Sequence, residues 1–267
     1  MSVATYDFAI VGAGSAGLIA ADFARKLGVR VALLERERIG GDCTWTGCVP
    51  SKSLLRVARL AHDMRTASRF GIGAHVPDID MVRVREYLRS TIAQIYEGTT
   101  PAALGRKNID VLLGPVSFVD AHRLDVGDRH IRAKKILVAT GAAPAIPAIP
   151  GLTDVPFFTY RQIFEHDRLP ERLVVIGGGP VGVEVAQAYQ RLGSRVTIFA
   201  ERLLAKEERR HRRSFRASFN ARVSNSSESA FFPSSARASE LWRVRSSRPS
   251  SAICSSSRRD DGRCSTA

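Results

Sequence analysis

No stretch of this chain approaches the roughly 18 consecutive apolar residues that a membrane-spanning helix needs. Its first hydrophobic run is broken by Gly12, Gly14 and Gly17, and no basic leader precedes it, so nothing reads as a secretory signal. Cysteine is scarce, four in 267 residues, which excludes a disulfide-stapled extracellular scaffold. A soluble cytoplasmic protein is therefore expected. Acidic residues are also in deficit, 26 against 40 Lys and Arg, for a formal charge of +14. Such an excess ordinarily points to nucleic acid or an acidic membrane surface. More than half of it, however, follows residue 200, where 14 Arg and one Lys face seven acids. Neither nucleic acid nor membrane is expected as partner of the body of the chain, whose 44% hydrophobic content can bury real cores.

What the chain does contain is an internal repeat. Phe8 to Gly17, continuing to Leu27-Gly28 and Val31 to Glu35, aligns without gaps on Leu173 to Gly182, continuing to Leu192-Gly193 and Val196 to Ala200, at an offset of 165. Each copy is an apolar run, a glycine turn, an amphipathic stretch, a Leu-Gly stop and a second β-rich run, which is a β-α-β unit twice over. Between the copies, apolar residues around Leu54, Leu55, Val57, Ala58, Leu60 and Ala61 repeat at helical spacing. Val111 to Val119, Arg123 to Val126 and His130 to Arg132, leading into Ile136 to Ala139, read as an antiparallel meander over about 111–139. The proline-rich Ala142 to Pro156 reads as a connection. After about Lys206, Ser and Arg make up nearly half of the sequence and apolar periodicity is lost, so an unstructured tail is expected over 206–267.

The glycine turns carry chemistry because a dinucleotide pyrophosphate needs a helix N-terminus aimed at it and no side chains in the way. Gly12 permits the tight turn, Gly14 lets backbone approach phosphate, and Gly17 lets helix pack on strand. Glu35, 18 residues after Gly17 at the end of the second strand, can hold a ribose hydroxyl. The second turn uses Gly177, Gly179 and Gly182, with Ala200 standing where the first copy has Glu35. Glu201 follows, as an NAD-type carboxylate would, and then Arg202, which could meet the extra phosphate of NADP.

Gly40-Gly41-Asp42-Cys43-Thr44-Trp45-Thr46-Gly47-Cys48-Val49-Pro50-Ser51-Lys52 is the second constellation. Positions five apart on a regular helix rise about 7.5 Å, too far for a disulfide, so pairing Cys43 with Cys48 demands a distorted turn, which Gly47 can supply. Such a bond would be strained and reducible. A helix starting near Pro50 would favour a thiolate at Cys48. Two buried structural cysteines would need apolar neighbours, which this polar, glycine-rich segment lacks. A zinc site would need a second Cys or His pair at ligand spacing, and no metal site is expected. Redox activity is the reading that spacing, helix start and upstream nucleotide turn share. Trp45 is read as loop packing rather than a selector of substrate. Cys254 and Cys264 are read as incidental.

These residues, with Ala139-Thr140-Gly141 and the second turn through Glu184, resemble the class I pyridine nucleotide-disulfide oxidoreductases, the family of dihydrolipoamide dehydrogenase, glutathione reductase and mercuric reductase. The similarity covers about residues 5 to 205. It implies an α/β fold: a Rossmann-like FAD-binding domain over 1–150, a partial NAD(P)-binding domain over 151–205, and the tail. It also implies that FAD and NAD(P)H are the cofactors and that a small disulfide or a metal ion is the substrate. By resemblance, Cys48 lies against the flavin and Cys43 exchanges with substrate. Lys52 pairs with Glu184 near the reactive flavin nitrogen. Gly41 and Ala139 to Gly141 join the FAD-binding residues. Pro180 stands where some members carry a tyrosine gate.

Members of the family are homodimers of about 450 residues, and the resemblance finds no dimerisation domain, His-Glu acid-base pair or second FAD segment in this sequence. The expectation is a truncated or frameshifted product, inactive in exchange, since the tail has the Ser, Arg, Ala and Pro bias of GC-rich coding DNA read in another frame. The alternative is a non-catalytic nucleotide-binding remnant whose basic arm binds polyanions.

Overall fold

The computed structural model describes residues 3–200 and 203–204. Glu201, Arg202 and the expected tail, with Cys254 and Cys264, lie outside the described residues. In order the elements are β1 (Ala4–Val11), α1 (Ser15–Lys26), β2 (Val31–Glu35), α2 (Gly41–Trp45), α3 (Cys48–Thr66), α4 (Met81–Glu97) and α5 (Pro101–Gly105). They continue with β3 (Ile109–Leu113), β4 (Val116–Phe118), β5 (Arg123–Val126), β6 (Arg129–Val138), β7 (Arg172–Ile176), α6 (Pro180–Leu192) and β8 (Arg195–Phe199). Of the described residues, 3–146, 158–200 and 203–204 belong to one compact unit, so that both copies of the repeat lie in it. Pro147–Phe157 belongs to a second unit and holds a single 3-10 turn, Leu152–Asp154, entered through Gly151 at φ 76°.

A six-stranded sheet in the order β3-β2-β1-β6-β5-β4 organises the first copy. Its central strands read as continuous apolar runs because both faces are covered. Ile10, Val31 and Leu33 pack with Ala21 and Ala24 of α1 on one face. Ala9, Val11, Ala32 and Leu34 pack with Leu124 and Val126 on the other. Alternation along each strand therefore sorts successive side chains into two cores rather than into core and solvent.

The expected antiparallel meander is present in β4, β5 and β6, but its two ends need correction. Val111 to Val119 is not one strand: Ile109–Leu113 pairs in parallel with β2, and Gly114, at φ 144°, breaks the chain before β4. His130–Arg132 and Ile136 onward are one strand. β6 pairs antiparallel with β5 through Arg129 to Arg132 and in parallel with β1 through Ile131 to Val138. A ten-residue strand can serve two partners at once, and short apolar runs carry no label saying which partner they will take.

The second copy forms a parallel pair, β7 with β8, in the register Arg172↔Arg195 to Ile176↔Phe199. Its helix α6 packs on α3, with Leu54, Ala58 and Ala61 joining Val185, Ala186, Tyr189 and Leu192 in one buried cluster. Alanines at the contact let the helices approach, and each buried Leu stabilises by about 1.5–3 kcal/mol. Arg65, near the end of α3, donates to the terminal carbonyls of α6, Arg191 O and Leu192 O, placing positive charge on the negative end of that helix. The α4 start is set by Asp80, whose carboxylate accepts from Val82 N at 3.0 Å and Arg83 N at 3.2 Å. Among the described residues no helix is long and apolar enough to cross a membrane.

Candidate functional site

The two glycine turns reproduce one geometry. Gly12 N donates to Leu34 O and Gly177 N to Phe199 O, each at 2.8 Å, so each turn is tied to the end of its second strand. The first glycine is left-handed in both, at φ 106° and 117°. A Cβ on the third glycine would collide with the carbonyl of the first, at 1.9 Å for Gly17 on Gly12 O and 2.4 Å for Gly182 on Gly177 O. The middle glycines differ in kind. A Cβ on Gly14 would meet nothing nearer than Gly41 Cα at 3.8 Å, and one on Gly179 nothing within 4 Å. Gly17 and Gly182 are required by packing, whereas Gly14 and Gly179 keep a surface clear.

That surface suits a dinucleotide. Neither α1 nor α6 has a side-chain cap or an acidic residue in its first turn, so the uncompensated N–H groups and positive helix ends face outward. At the first turn, Glu35 accepts from Ala13 N at 2.8 Å through one oxygen and from Glu37 N at 2.9 Å through the other. Its carboxylate is thereby fixed at the turn, with lone pairs left for a hydroxyl. Ala139 follows β6, donates to Val11 O at 2.8 Å and lays its own carbonyl over Gly12, where a Cβ would stand 2.3 Å from it. Thr140 and Gly141 are exposed beside it.

Gly41, at φ 58°, brings the cysteine segment against this turn: its Cβ position lies 2.7 Å from Gly14 Cα, and Gly40 N donates to Ala13 O at 2.8 Å. The helix expected near Pro50 starts at Cys48, with Gly47 as its N-cap, and a separate five-residue helix, α2, carries Cys43. Thr46 and Gly47 form the break between them. Gly47 has no room for a side chain, since its Cβ would stand 2.8 Å from Asp42 O. This is the distorted turn that the five-residue spacing demands. Both thiols are free, Cys43 half-buried and Cys48 exposed.

The thiols share a proton unequally. Burial alone would push the Cys43 thiol up, but hydrogen bonds from Cys48 and Ser15, with the Lys52 ammonium nearby, outweigh it and hold Cys43 below the ordinary thiol range. Cys48 is held above that range, first by its hydrogen bond to Cys43, then by burial and by the Cys43 charge. These causes together favour negative charge on Cys43 over Cys48.

Lys52 lies one turn into α3, and its ammonium chelates Glu184, 2.7 Å to Oε1 and 2.8 Å to Oε2. Glu184 lies one turn into α6, so the pair joins the cysteine helix to the second glycine turn. Sequence reasoning missed the supports of α2. Asp42 accepts from Tyr160 Oη at 2.7 Å and pairs with Arg161 at 3.6 Å. Trp45 donates to Ile39 O at 2.8 Å, tilts against Tyr96 at 5.1 Å and lies under Arg38 at 4.2 Å. Trp45 is thus used in loop packing. Partners 118 residues apart leave no local signal, whereas Ser15, inside the first turn, could have been weighed. No cluster of three or more His, Cys, Asp or Glu suited to a metal ion occurs among the described residues.

Comparison with known proteins places this geometry. The family model for the pyridine nucleotide-disulphide oxidoreductases matches residues 6–225. Mercuric reductase from Shigella flexneri is 40% identical over 207 residues, covering 73% of this chain and 36% of the relative. Mercuric reductase from Streptomyces lividans is 38% identical over 209 residues, covering 76% and 44%. Among solved structures, the Cu(II) complex of the HOCl-induced flavoprotein disulfide reductase RclA from Escherichia coli superimposes with a TM-score of 0.65 at 30% identity, covering 79% of this chain and 46% of that one. The chain spans between about a third and a half of the length of these relatives.

Proposed function

Because the chain belongs to the pyridine nucleotide-disulphide oxidoreductase family, we propose that it carries the flavin and dithiol half of an NAD(P)H-dependent reductase of disulfides or metal ions, with Cys43 and Cys48 as the redox pair. The observation that carries this reading is the placement of Cys43 on α2 and Cys48 at the start of α3, on either side of the Thr46–Gly47 break and beside the Gly14–Gly41 junction. FAD bound across the first turn would supply the two-electron passage between a nicotinamide and the thiol pair. For that group the chain offers the α1 N-terminus to pyrophosphate, Glu35 to ribose, and Gly41 with Ala139, Thr140 and Gly141 as its backbone wall. Gly177, Gly179 and Gly182 offer the equivalent cradle to NAD(P)H, with Glu201 and Arg202 as candidates for its ribose end.

The chemistry of the residues follows from the proton distribution. Cys43, the more acidic thiol, attacks one sulfur of a substrate disulfide, and the other substrate sulfur leaves as a thiolate that takes a proton. Cys48, once deprotonated, attacks Cys43 in the mixed disulfide and releases the second substrate thiol. The Cys43–Cys48 disulfide that results is the oxidised form of the pair, its two electrons having passed to the two substrate thiols, and NAD(P)H, by way of FAD, would restore them. A thiophilic metal ion would be held by the same two sulfurs. Lys52, fixed by Glu184, keeps positive charge near the thiolate. In the assembled protein, a homodimer of the family kind is the expected partner arrangement.

The test is a titration of the FAD-reconstituted chain with NADH and with NADPH under anaerobic conditions, counting thiols at Cys43 and Cys48 by peptide mapping. Retained flavin and nicotinamide-dependent appearance of both thiols support the reading. A chain that keeps no flavin, or thiols indifferent to the nucleotide, overturns it.

A further inference from the structure

Asp42 precedes Cys43 on α2 and is engaged through both its backbone and its side chain. Its carbonyl accepts from Thr46 N at 2.9 Å, which closes the turn at the break between α2 and α3. Gly47, next in the chain, is folded back so far that a Cβ on it would stand 2.8 Å from Asp42 O and 3.3 Å from Cys43 Cα. Cys48 follows directly, so the turn closed on Asp42 is what returns the second cysteine towards the first. The Asp42 carboxylate reaches out of the turn: Tyr160 Oη donates to Oδ2 at 2.7 Å, and the Arg161 guanidinium lies 3.6 Å from Oδ1.

The far side of that contact is anchored. Thr159 N and Oγ1 donate to the side-chain oxygen of Gln162 at 2.9 and 2.6 Å, closing the chain around Tyr160 and Arg161. Just beyond, Ile163 O accepts from the buried Tyr189 of α6 at 2.8 Å. Glu165 is held by two arginines of α4, Arg89 at 2.5 Å through the carboxylate and Arg85 at 3.2 Å through the carbonyl. By contrast α2, five residues long and entered through a left-handed Gly40, is too short to hold its own shape. A short turn bound to an anchored segment takes its position from that segment.

We propose that Asp42 is a positioning residue of the redox pair: bound by Tyr160, it holds the Cys43 turn where its sulfur can join that of Cys48, and so sets how readily the disulfide forms. The proposal rests on reading Cys43 and Cys48 as the redox pair. Its physical basis is that two thiols held within reach react at a high effective concentration, which falls as the turn that carries one of them is freed. Arg161 contributes less than Tyr160, since an ion pair at 3.6 Å between side chains 46% and 45% exposed is worth little.

The experiment equilibrates the full chain with glutathione buffers of graded ratio and reads the Cys43–Cys48 disulfide by non-reducing peptide mapping. The dithiol gives two electrons and two protons to oxidised glutathione: one S–S bond forms in the protein, one breaks, and two glutathione thiols are left. The equilibrium constant is therefore an effective concentration of the two cysteines. Asp42→Ala is expected to lower it about three- to tenfold, the order of one hydrogen bond's net contribution. Tyr160→Phe, which leaves the α2 sequence intact and carries the test should Asp42→Ala not fold, is expected to lower it by the same factor. The double variant should fall no further than either single one, because both remove one contact. Asp42→Asn, which loses the charge but keeps an oxygen for Tyr160, should stay within about twofold of the wild type.

A wild-type chain that forms no Cys43–Cys48 disulfide at any glutathione ratio overturns the reading of the pair and the proposal with it. A disulfide that forms with one constant in the wild type, Asp42→Ala and Tyr160→Phe overturns the proposal alone. An Asp42→Asn chain that falls as far as Asp42→Ala assigns the effect to charge and overturns the positioning role, as do additive losses in the double variant.

Discussion

Lys52 and Glu184, 132 residues apart, meet through both carboxylate oxygens and so bind the helix that begins at Cys48 to the helix that begins at the second glycine turn. At the other end of the same helices, Arg65 holds the last carbonyls of α6. Two polar pins on either side of the Leu54, Ala58, Ala186 and Tyr189 core fix how the redox segment faces the nucleotide segment.

The Lys52 pin is charge placement more than stability. Its side chain is 60% exposed and that of Glu184 34%, so Glu184→Gln is expected to cost no more than about 1 kcal/mol in urea unfolding, less at high salt. The thiol is the more sensitive reporter. Lys52→Met should raise the pH midpoint of Cys43 alkylation, because the ammonium helps to hold that thiol down, and Glu184→Gln should lower it by removing the counter-charge. Shifts of the same sign from both variants would contradict this role.

Unequal thiols lead to an order of labelling. Since Cys43 is held below the ordinary thiol range and Cys48 above it, limiting iodoacetamide at neutral pH should modify Cys43 first. Cys48→Ala should raise the Cys43 midpoint, because a hydrogen-bond donor to its thiolate is lost. Preferential labelling of Cys48 in the wild-type dithiol would reverse the assignment of the attacking sulfur.

The glycines separate architecture from binding. Gly17→Ala puts a methyl 1.9 Å from Gly12 O and Gly182→Ala one 2.4 Å from Gly177 O, contacts that no rotamer relieves. Each is expected to cost about 2–4 kcal/mol or to prevent folding. Gly14→Ala meets only Gly41 Cα, at 3.8 Å, and should leave the melting temperature within a few degrees while abolishing ADP binding. A Gly14→Ala chain that still binds ADP would show that the turn is not the phosphate site.

Tyr189 contributes to the α6 core and to its polar closure. It is fully buried, donates to Ile163 O at 2.8 Å, and burial pushes its hydroxyl up to about 12. Tyr189→Phe leaves that carbonyl without its donor and should cost about 1–2 kcal/mol. Because the folded value lies above the unfolded one, near 10, this stabilisation is complete below pH about 10 and is lost as pH rises towards about 12. The wild type should therefore lose stability over that range faster than Tyr189→Phe, and parallel pH profiles would contradict the buried titration.

Much of the fold was legible because its signals are local. The repeat at an offset of 165, the glycine spacing and the Leu-Gly stops each encode a turn or a helix end within a few residues. The parallel pairing of Ile109–Leu113 with β2 was not legible, since its neighbour in space is chosen by the sheet and not by the run. The α2 helix was hidden for a related reason: five residues between glycines have no periodicity to read. At the site, cysteine spacing announced a distorted turn but not which thiol ionises first, which depends on Ser15 and Lys52 brought in from α1 and α3.

The central claim is that Cys43 and Cys48 form one reversible two-electron couple. Mild oxidation of the full chain followed by non-reducing peptide mapping tests it most directly. The expected result is a Cys43–Cys48 disulfide formed in preference to any bond with Cys254 or Cys264 and reopened by a small dithiol. Thiols at 43 and 48 that stay free, or pair with the tail cysteines instead, would contradict the account.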